Sequence, residues 1–124
     1  YYFMAEISRT VEDVSMEIKT DTLAKDGLTI VMKNDSDSEY TYGPDFYVEK
    51  FLNDKWEEIP TLTGDPLTWN AISFTLKEHE SAEVNIDFKS SYGELSKGKY
   101  RVYKNFNKKT DSNPLNLFVE FMIK

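Results

Sequence analysis

An antiparallel β-sandwich is the fold this chain predicts, on three observations. Short segments alternate apolar and polar residues with a period of two, the pattern of strands with one buried face. Turn-forming clusters recur about every 8–12 residues, the spacing of sandwich strands. Near the end, the turn Leu95-Ser96-Lys97-Gly98-Lys99 leads into a strand whose first aromatic is Tyr100, as in a tyrosine corner, and one more strand closes the chain. No long stretch carries a helical period.

The elements follow in order. Residues 1–13 read as a peripheral strand or a linker. Val14-Ser15-Met16-Glu17-Ile18-Lys19 alternates strictly and is the first clear strand. Asp21 to Gly27 is a turn, closed by Asp26-Gly27. Leu28 to Lys33 is the second strand, and Asn34 to Glu39 a polar connection. Gly43-Pro44 breaks the chain again. Phe46 to Phe51 turns through Asn53-Asp54-Lys55 into Trp56 to Ile59, a hairpin. Pro60 to Asn70 holds two prolines and a glycine and is a loop. Ile72 to Leu76 alternates, Lys77 to Glu80 turns, and Ala82, Val84, Ile86 and Phe88 share one face of the next strand. Ser91-Tyr92-Gly93-Glu94 fits a capping box, so one helical turn is expected to cross between the sheets. Tyr100 to Phe106 and Leu117 to Ile123 are the last strands, joined by a polar tip from Lys108 to Asn113 that ends at Pro114. That makes seven or eight strands, at most one short helical turn, no internal repeat, and a single domain over 1–124.

Composition bounds the function. The chain of 124 residues is 40% apolar and 15% aromatic, so it can bury a core. Twenty-two acidic against 15 basic residues give a net charge of −7. That argues against nucleic-acid binding through phosphate neutralisation and against docking on anionic lipid. Without cysteine there is no disulfide, thiolate metal site or Cys nucleophile. No apolar run is long enough for this segment to enter a membrane. The chain opens Tyr1-Tyr2-Phe3 without an initiator Met, and reads as a piece of a longer product whose signal or anchor lies elsewhere.

The segments Lys33-Asn34-Asp35-Ser36, Glu39-Tyr40-Thr41-Tyr42-Gly43, Phe46-Tyr47-Val48-Glu49-Lys50, Trp56-Glu57-Glu58-Ile59-Pro60 and Leu95-Ser96-Lys97-Gly98-Lys99-Tyr100-Arg101 together resemble a bacterial immunoglobulin-like domain of Firmicutes extracytoplasmic proteins. The order of elements is also similar to the proteinase-inhibitor-like β-sandwich of bacilli. The resemblance runs from about Val14 to Lys124. It implies an all-β immunoglobulin-like fold and an extracytoplasmic setting, secreted or anchored at the cell surface, and it carries over no catalytic residue. The inter-sheet Cys pair of many such domains is missing, so the core must rest on apolar packing.

Four residues stand out as candidates for ligand binding. Trp69 and Asp65 lie in the 60–70 loop, at a sandwich end where such domains usually bind. With Tyr40, Tyr42 or Tyr92 nearby, Trp69 could stack on a sugar ring. The competing reading has Trp69 plugging the end of the sandwich. Asp35, Asp37 and Glu39 alternate as Ca²⁺ ligands would, but Tyr40 follows, no loop glycine completes the pattern, and a solvated turn is the simpler account. His79, the lone histidine, sits in a turn with no second His or Cys to make a zinc site. Trp56 reads as a core or edge residue covering the sheet. No nucleophile motif and no phosphate-cradling glycine loop is present. The expectation is a non-catalytic binding or spacer module, with no cofactor and no metal. It would act as a monomer with a protein or cell-envelope partner. The alternatives are a proteinase inhibitor acting through the 60–70 loop and a carbohydrate-binding module built on Trp69.

Overall fold

Two antiparallel sheets face each other in the computed structural model, which describes residues 2–3, 10–11, 13–109 and 114–124. The four-stranded sheet runs β2 (Thr10–Val11), β3 (Val14–Ile18), β4 (Gly27–Asn34), β9 (Glu80–Asp87). The seven-stranded sheet begins β1 (Tyr2–Phe3), β11 (Pro114–Ile123), β10 (Gly98–Lys108). The free side of β10 is then shared. Its first half, Tyr100–Tyr103, pairs with β6 (Tyr47–Leu52), which carries β7 (Lys55–Glu58). Its last residues, Phe106–Lys108, pair with β5 (Tyr40–Tyr42), which carries β8 (Phe74–Leu76).

All eight expected strands are present, with shifted ends. The other three are β1, β2 and β5. Residues 1–13 supply β1 at one edge of the large sheet and β2 at one edge of the small one; their remaining positions lie mostly outside the described residues. The segment Tyr40-Thr41-Tyr42, for which the sequence predicts no element, is a strand held on both sides, by Phe106 to Lys108 and by Phe74 to Leu76. Three residues are too few to show a period, so its pairing is tertiary in origin. The last strand starts at Pro114, earlier than expected, where a first-position proline gives up no ladder bond. Of the polar tip, 110–113 lie outside the described residues.

The helical turn does cross from the small sheet to the large one, but it spans Lys89–Tyr92 (α1) rather than starting at Ser91. Its start is fixed by Asp87, whose carboxylate accepts from the Ser90 N–H (3.2 Å) and hydroxyl (2.8 Å). These bonds hold the Asp87 carboxyl below its ordinary range. Gly93, at φ 81°, ends the turn in a conformation that costs glycine little.

Alternation decides the core. Val14, Met16 and Ile18 of β3 and Leu28, Ile30 and Met32 of β4 point inward, opposite Tyr100, Val102 and Phe106 of β10 and Leu117, Val119 and Phe121 of β11. At its centre Phe121 stacks on Phe88 at 5.8 Å and on Tyr100 at 5.7 Å. Each such ring removed from water contributes about 1.5–3 kcal/mol. Tyr100 completes its corner by donating to the Ser96 carbonyl at 2.8 Å. Gly27 lets β4 and β9 approach: a Cβ there would lie 2.5 Å from the Ile86 carbonyl oxygen.

Candidate functional site

The 59–73 segment leaves β7 on one wing of the large sheet and enters β8 on the other. Its course is pinned. The Leu62 N–H bonds to the Ser91 carbonyl at 3.0 Å, the Thr61 hydroxyl donates to the Asp65 carbonyl at 2.6 Å, and Gly64 turns the chain at φ 81°. Beyond the turn Trp69 meets the buried Phe46 edge-on at 5.0 Å, and Tyr92 approaches Phe46 from α1 at 6.5 Å. Between loop and sheet a cleft of about 170 Å³ opens, lined by Tyr47, Glu58, Ile59, Leu67, Trp69 and Tyr92. Burial pushes the Tyr92 hydroxyl up, and the Val48 backbone hydrogen bond opposes this. Tyr47 is pushed up to about 12, first by desolvation and then by its 2.9 Å bond to Asp45.

The four expected ligand residues therefore divide. Trp69 and Tyr92 share the cleft. Asp65 is exposed at the loop's turn, its backbone bonded to Thr61 and Thr63. Tyr42 lies elsewhere, in a cross-strand aromatic row with Phe106 (5.7 Å) and Phe74 (5.4 Å). Burial is the main cause of its raised hydroxyl pKa, with Glu80 adding to it.

The acidic loop is organised by Asn34. This fully buried side chain donates to the carbonyls of Ser38 (2.7 Å), Leu76 (3.1 Å) and Lys77 (3.1 Å), and accepts from the Ser36 hydroxyl (2.6 Å) and N–H (3.0 Å). The carboxylates around it go to separate partners: Asp37 to His79 at 3.2 Å, Glu39 to Lys109 at 2.9 Å. Among the described residues no three His, Asp or Glu side chains converge on a metal position. His79 is exposed on its turn at φ 57°.

A model of the bacterial Ig-like domain matches residues 10–116. The chain belongs to the bacterial Ig-like domain family. No curated protein and no solved structure gave a significant match. Membership supports a non-catalytic module, the general character of Ig-like domains. Among the described residues no helix is long and apolar enough to cross a membrane.

Two features of this Ig-like domain escape a first reading of its sequence. Lys104 occupies an inward position of β10, 1% exposed, where the strand's partner changes from β6 to β5. Its ammonium donates to the carbonyls of Asp45 (2.8 Å) and Gly43 (3.0 Å) and lies 5.6 Å from the Tyr42 ring centre. Desolvation lowers its pKa to about 8, against the pull of Asp45. The alternation Tyr100, Val102, Lys104, Phe106 would have revealed it. On the opposite, solvent face of the same strands Arg101 donates from Nε to Glu49 Oε1 at 2.6 Å, and its Nη2 lies 2.6 Å from the same oxygen. Its guanidinium lies 4.6 Å from the centre of the Trp56 ring. Trp56, expected in the core or at a sheet edge, sits on the edge strand β7 and is half-buried.

Proposed function

We propose that this Ig-like domain is a non-catalytic binding module that works outside the cytoplasm, taking an apolar side chain of a protein or cell-envelope partner into the Trp69–Tyr92 cleft. One observation carries the reading. The cleft is pre-formed, with its loop wall tied to the scaffold by the Leu62–Ser91 bond and its aromatic walls seated on Phe46. At about 170 Å³ it suits one inserted side chain and is smaller than the sites that enclose whole small molecules, about 300–1,000 Å³. The extracytoplasmic setting is supported by the family, whose members are often extracellular.

The test has two arms. Protease treatment of intact cells carrying the full-length product should digest the domain; protection would refute the setting. Immobilised domain should retain a cell-envelope partner that Leu67→Arg, which fills the cleft mouth, no longer retains. Equal retention by wild type and variant would refute the cleft.

A second reading, the proteinase inhibitor, is favoured by Leu62. It stands 63% exposed on this pinned loop, as the residue offered to a protease would be. Full activity of subtilisin-class and metalloprotease enzymes in excess domain would dismiss it.

A further inference from the structure

We infer that the solvent face of the seven-stranded sheet is a second binding site, specific for neutral polyhydroxylated ligands, that is, for oligosaccharides. This rests on the reading of the domain as a binding module but not on the cleft. Residues directly opposite each other in an antiparallel pair share a face, and the register sorts this one into three rows. Phe118, Tyr103 and Tyr47 form the first, across β11, β10 and β6. Glu120, Arg101, Glu49 and Glu58 form the second. Met122, Lys99, Phe51 and Trp56 form the third. A polar row thus runs between two rows that are mostly apolar.

Across the first row, from Asn116 beyond it to the Arg101–Glu49 pair of the second, lies an open groove of about 300 Å³, lined by Glu49, Arg101, Tyr103, Asn116 and Phe118. Its chemistry matches a pyranose, which has apolar C–H faces and a rim of vicinal hydroxyls. Phe118 and Tyr103 offer the rings, and Tyr103 is braced by stacking on Tyr47 at 5.0 Å. Glu49, Arg101 and Asn116 offer planar groups that bond two hydroxyls at once. Arg101 engages one Glu49 oxygen through two of its nitrogens, so Glu49 Oε2 and Arg101 Nη1 are left for a ligand. The pair is also held in place before any ligand arrives, with guanidinium and carboxylate 27% and 14% exposed and the Phe118 ring centre 5.7 Å from Arg101. That lowers the ordering cost of binding.

Charge selects the ligand class. The chain carries −7, yet on this face three carboxylates meet two cations that they already neutralise: Arg101 with Glu49, and Lys99 with Glu120 at 3.6 Å. A strongly cationic or anionic partner gains little from a paired surface, whereas a neutral hydroxylated one gains fixed donors and acceptors.

The experiment is an amide chemical-shift titration of the whole chain with four neutral tetrasaccharides of glucose, mannose, galactose and N-acetylglucosamine. Wild type, Phe118→Ala, Asn116→Ala and Leu67→Arg are compared. At least one sugar should shift amides of 99–105 and 115–120. Phe118→Ala and Asn116→Ala should each weaken it about tenfold or more, while Leu67→Arg leaves it unchanged. Both groove variants lie on the solvent face, and unchanged dispersion of their spectra certifies the fold. Silence with all four sugars overturns the site and leaves the cleft reading untouched. Shifts confined to 59–73 and lost in Leu67→Arg overturn the site and place the sugar in the cleft. Concentration-dependent broadening of the face without sugar, unaffected by sugar, also overturns it and marks a surface for a second copy.

Discussion

Replacing Lys104 by methionine should remove a rise in stability that the wild-type domain shows between pH 8 and pH 10. Burial lowers the lysine's pKa from 10.5 to about 8 in the folded chain. Below pH 8 both folded and unfolded chains carry the charge, and the folded one bears its full desolvation cost. From pH 8 upward the folded chain releases the proton first, so the unfolded chain binds more protons and stability increases with pH. The whole effect, across both pKa values, is about 3 kcal/mol, of which about 2 kcal/mol develops between pH 8 and pH 10. The upper limit is set by Tyr42, Tyr47, Tyr92 and Tyr103. Their pKa values are raised above 10.0 on folding, so their ionisation favours the unfolded chain and turns the curve down beyond pH 10. Asp45, whose carbonyl and charge face the ammonium, the Gly43 carbonyl and the Tyr42 ring are the groups that hold it. Urea unfolding followed by the fluorescence of Trp56 and Trp69 at pH 7, 8, 9 and 10 measures the curve. Lys104→Met also strips donors from two carbonyls, which moves its stability at every pH but adds no slope. A flat wild-type curve over that interval, or the same rise in the variant, would refute the reasoning.

Other substitutions test the packing. Phe121→Ala should cost about 3–5 kcal/mol, because it removes the ring that stacks on both Phe88 and Tyr100; a smaller loss in urea unfolding would show that the two sheets collapse onto the gap. Gly27→Ala should cost about 1–3 kcal/mol by forcing β9 away from β4, read as a fall in urea midpoint at constant m-value. Asn34→Ala should cost about 2–4 kcal/mol, since three carbonyls and two Ser36 groups lose their partner together, and hydrogen exchange should speed up at Ser36 and Ser38 before it does in β10. Tyr100→Phe should cost about 1 kcal/mol, from the bonds of its hydroxyl to the Ser96 carbonyl and hydroxyl, with the ring's stacking kept.

Strands with an alternating run of five or more residues were legible because burial of one face imposes the period directly. Val14–Ile18 shows this: its buried residues are the apolar ones in the sequence. Tyr40–Tyr42 was not legible, since its place is decided by partners some 35 and 65 residues away. The helical turn was foreseen and misplaced, because a capping box at Ser91 and an Asp cap at Asp87 compete for the same few residues. At the site, Trp69 and Tyr92 were both picked out by residue type. That Tyr42 would part from them depends on the aromatic row at the far end of β10, which no local pattern encodes. The sheet face was readable in principle from Lys99, Arg101 and Tyr103 at outward positions, but only register shows that Glu49 and Phe118 stand beside them.

The division of β10 between two partners makes the large sheet a spine with two separate pages. One page is β6 with β7, attached over four residue pairs; the other is β5 with β8, attached over three. Among the described residues no ladder joins the pages; the buried ammonium of Lys104 bridges them through carbonyls of the 43–45 link and by its place against the Tyr42 ring. Each page is hydrogen-bonded to β10 by its own ladder, while Val48 of one and Tyr40 and Leu76 of the other share one core beneath them. The Tyr47 and Glu58 side of the cleft belongs to one page, while the strand entered from Trp69's loop belongs to the other. A partner seated between them is therefore a clasp, one that ties down a sheet left open along its own seam.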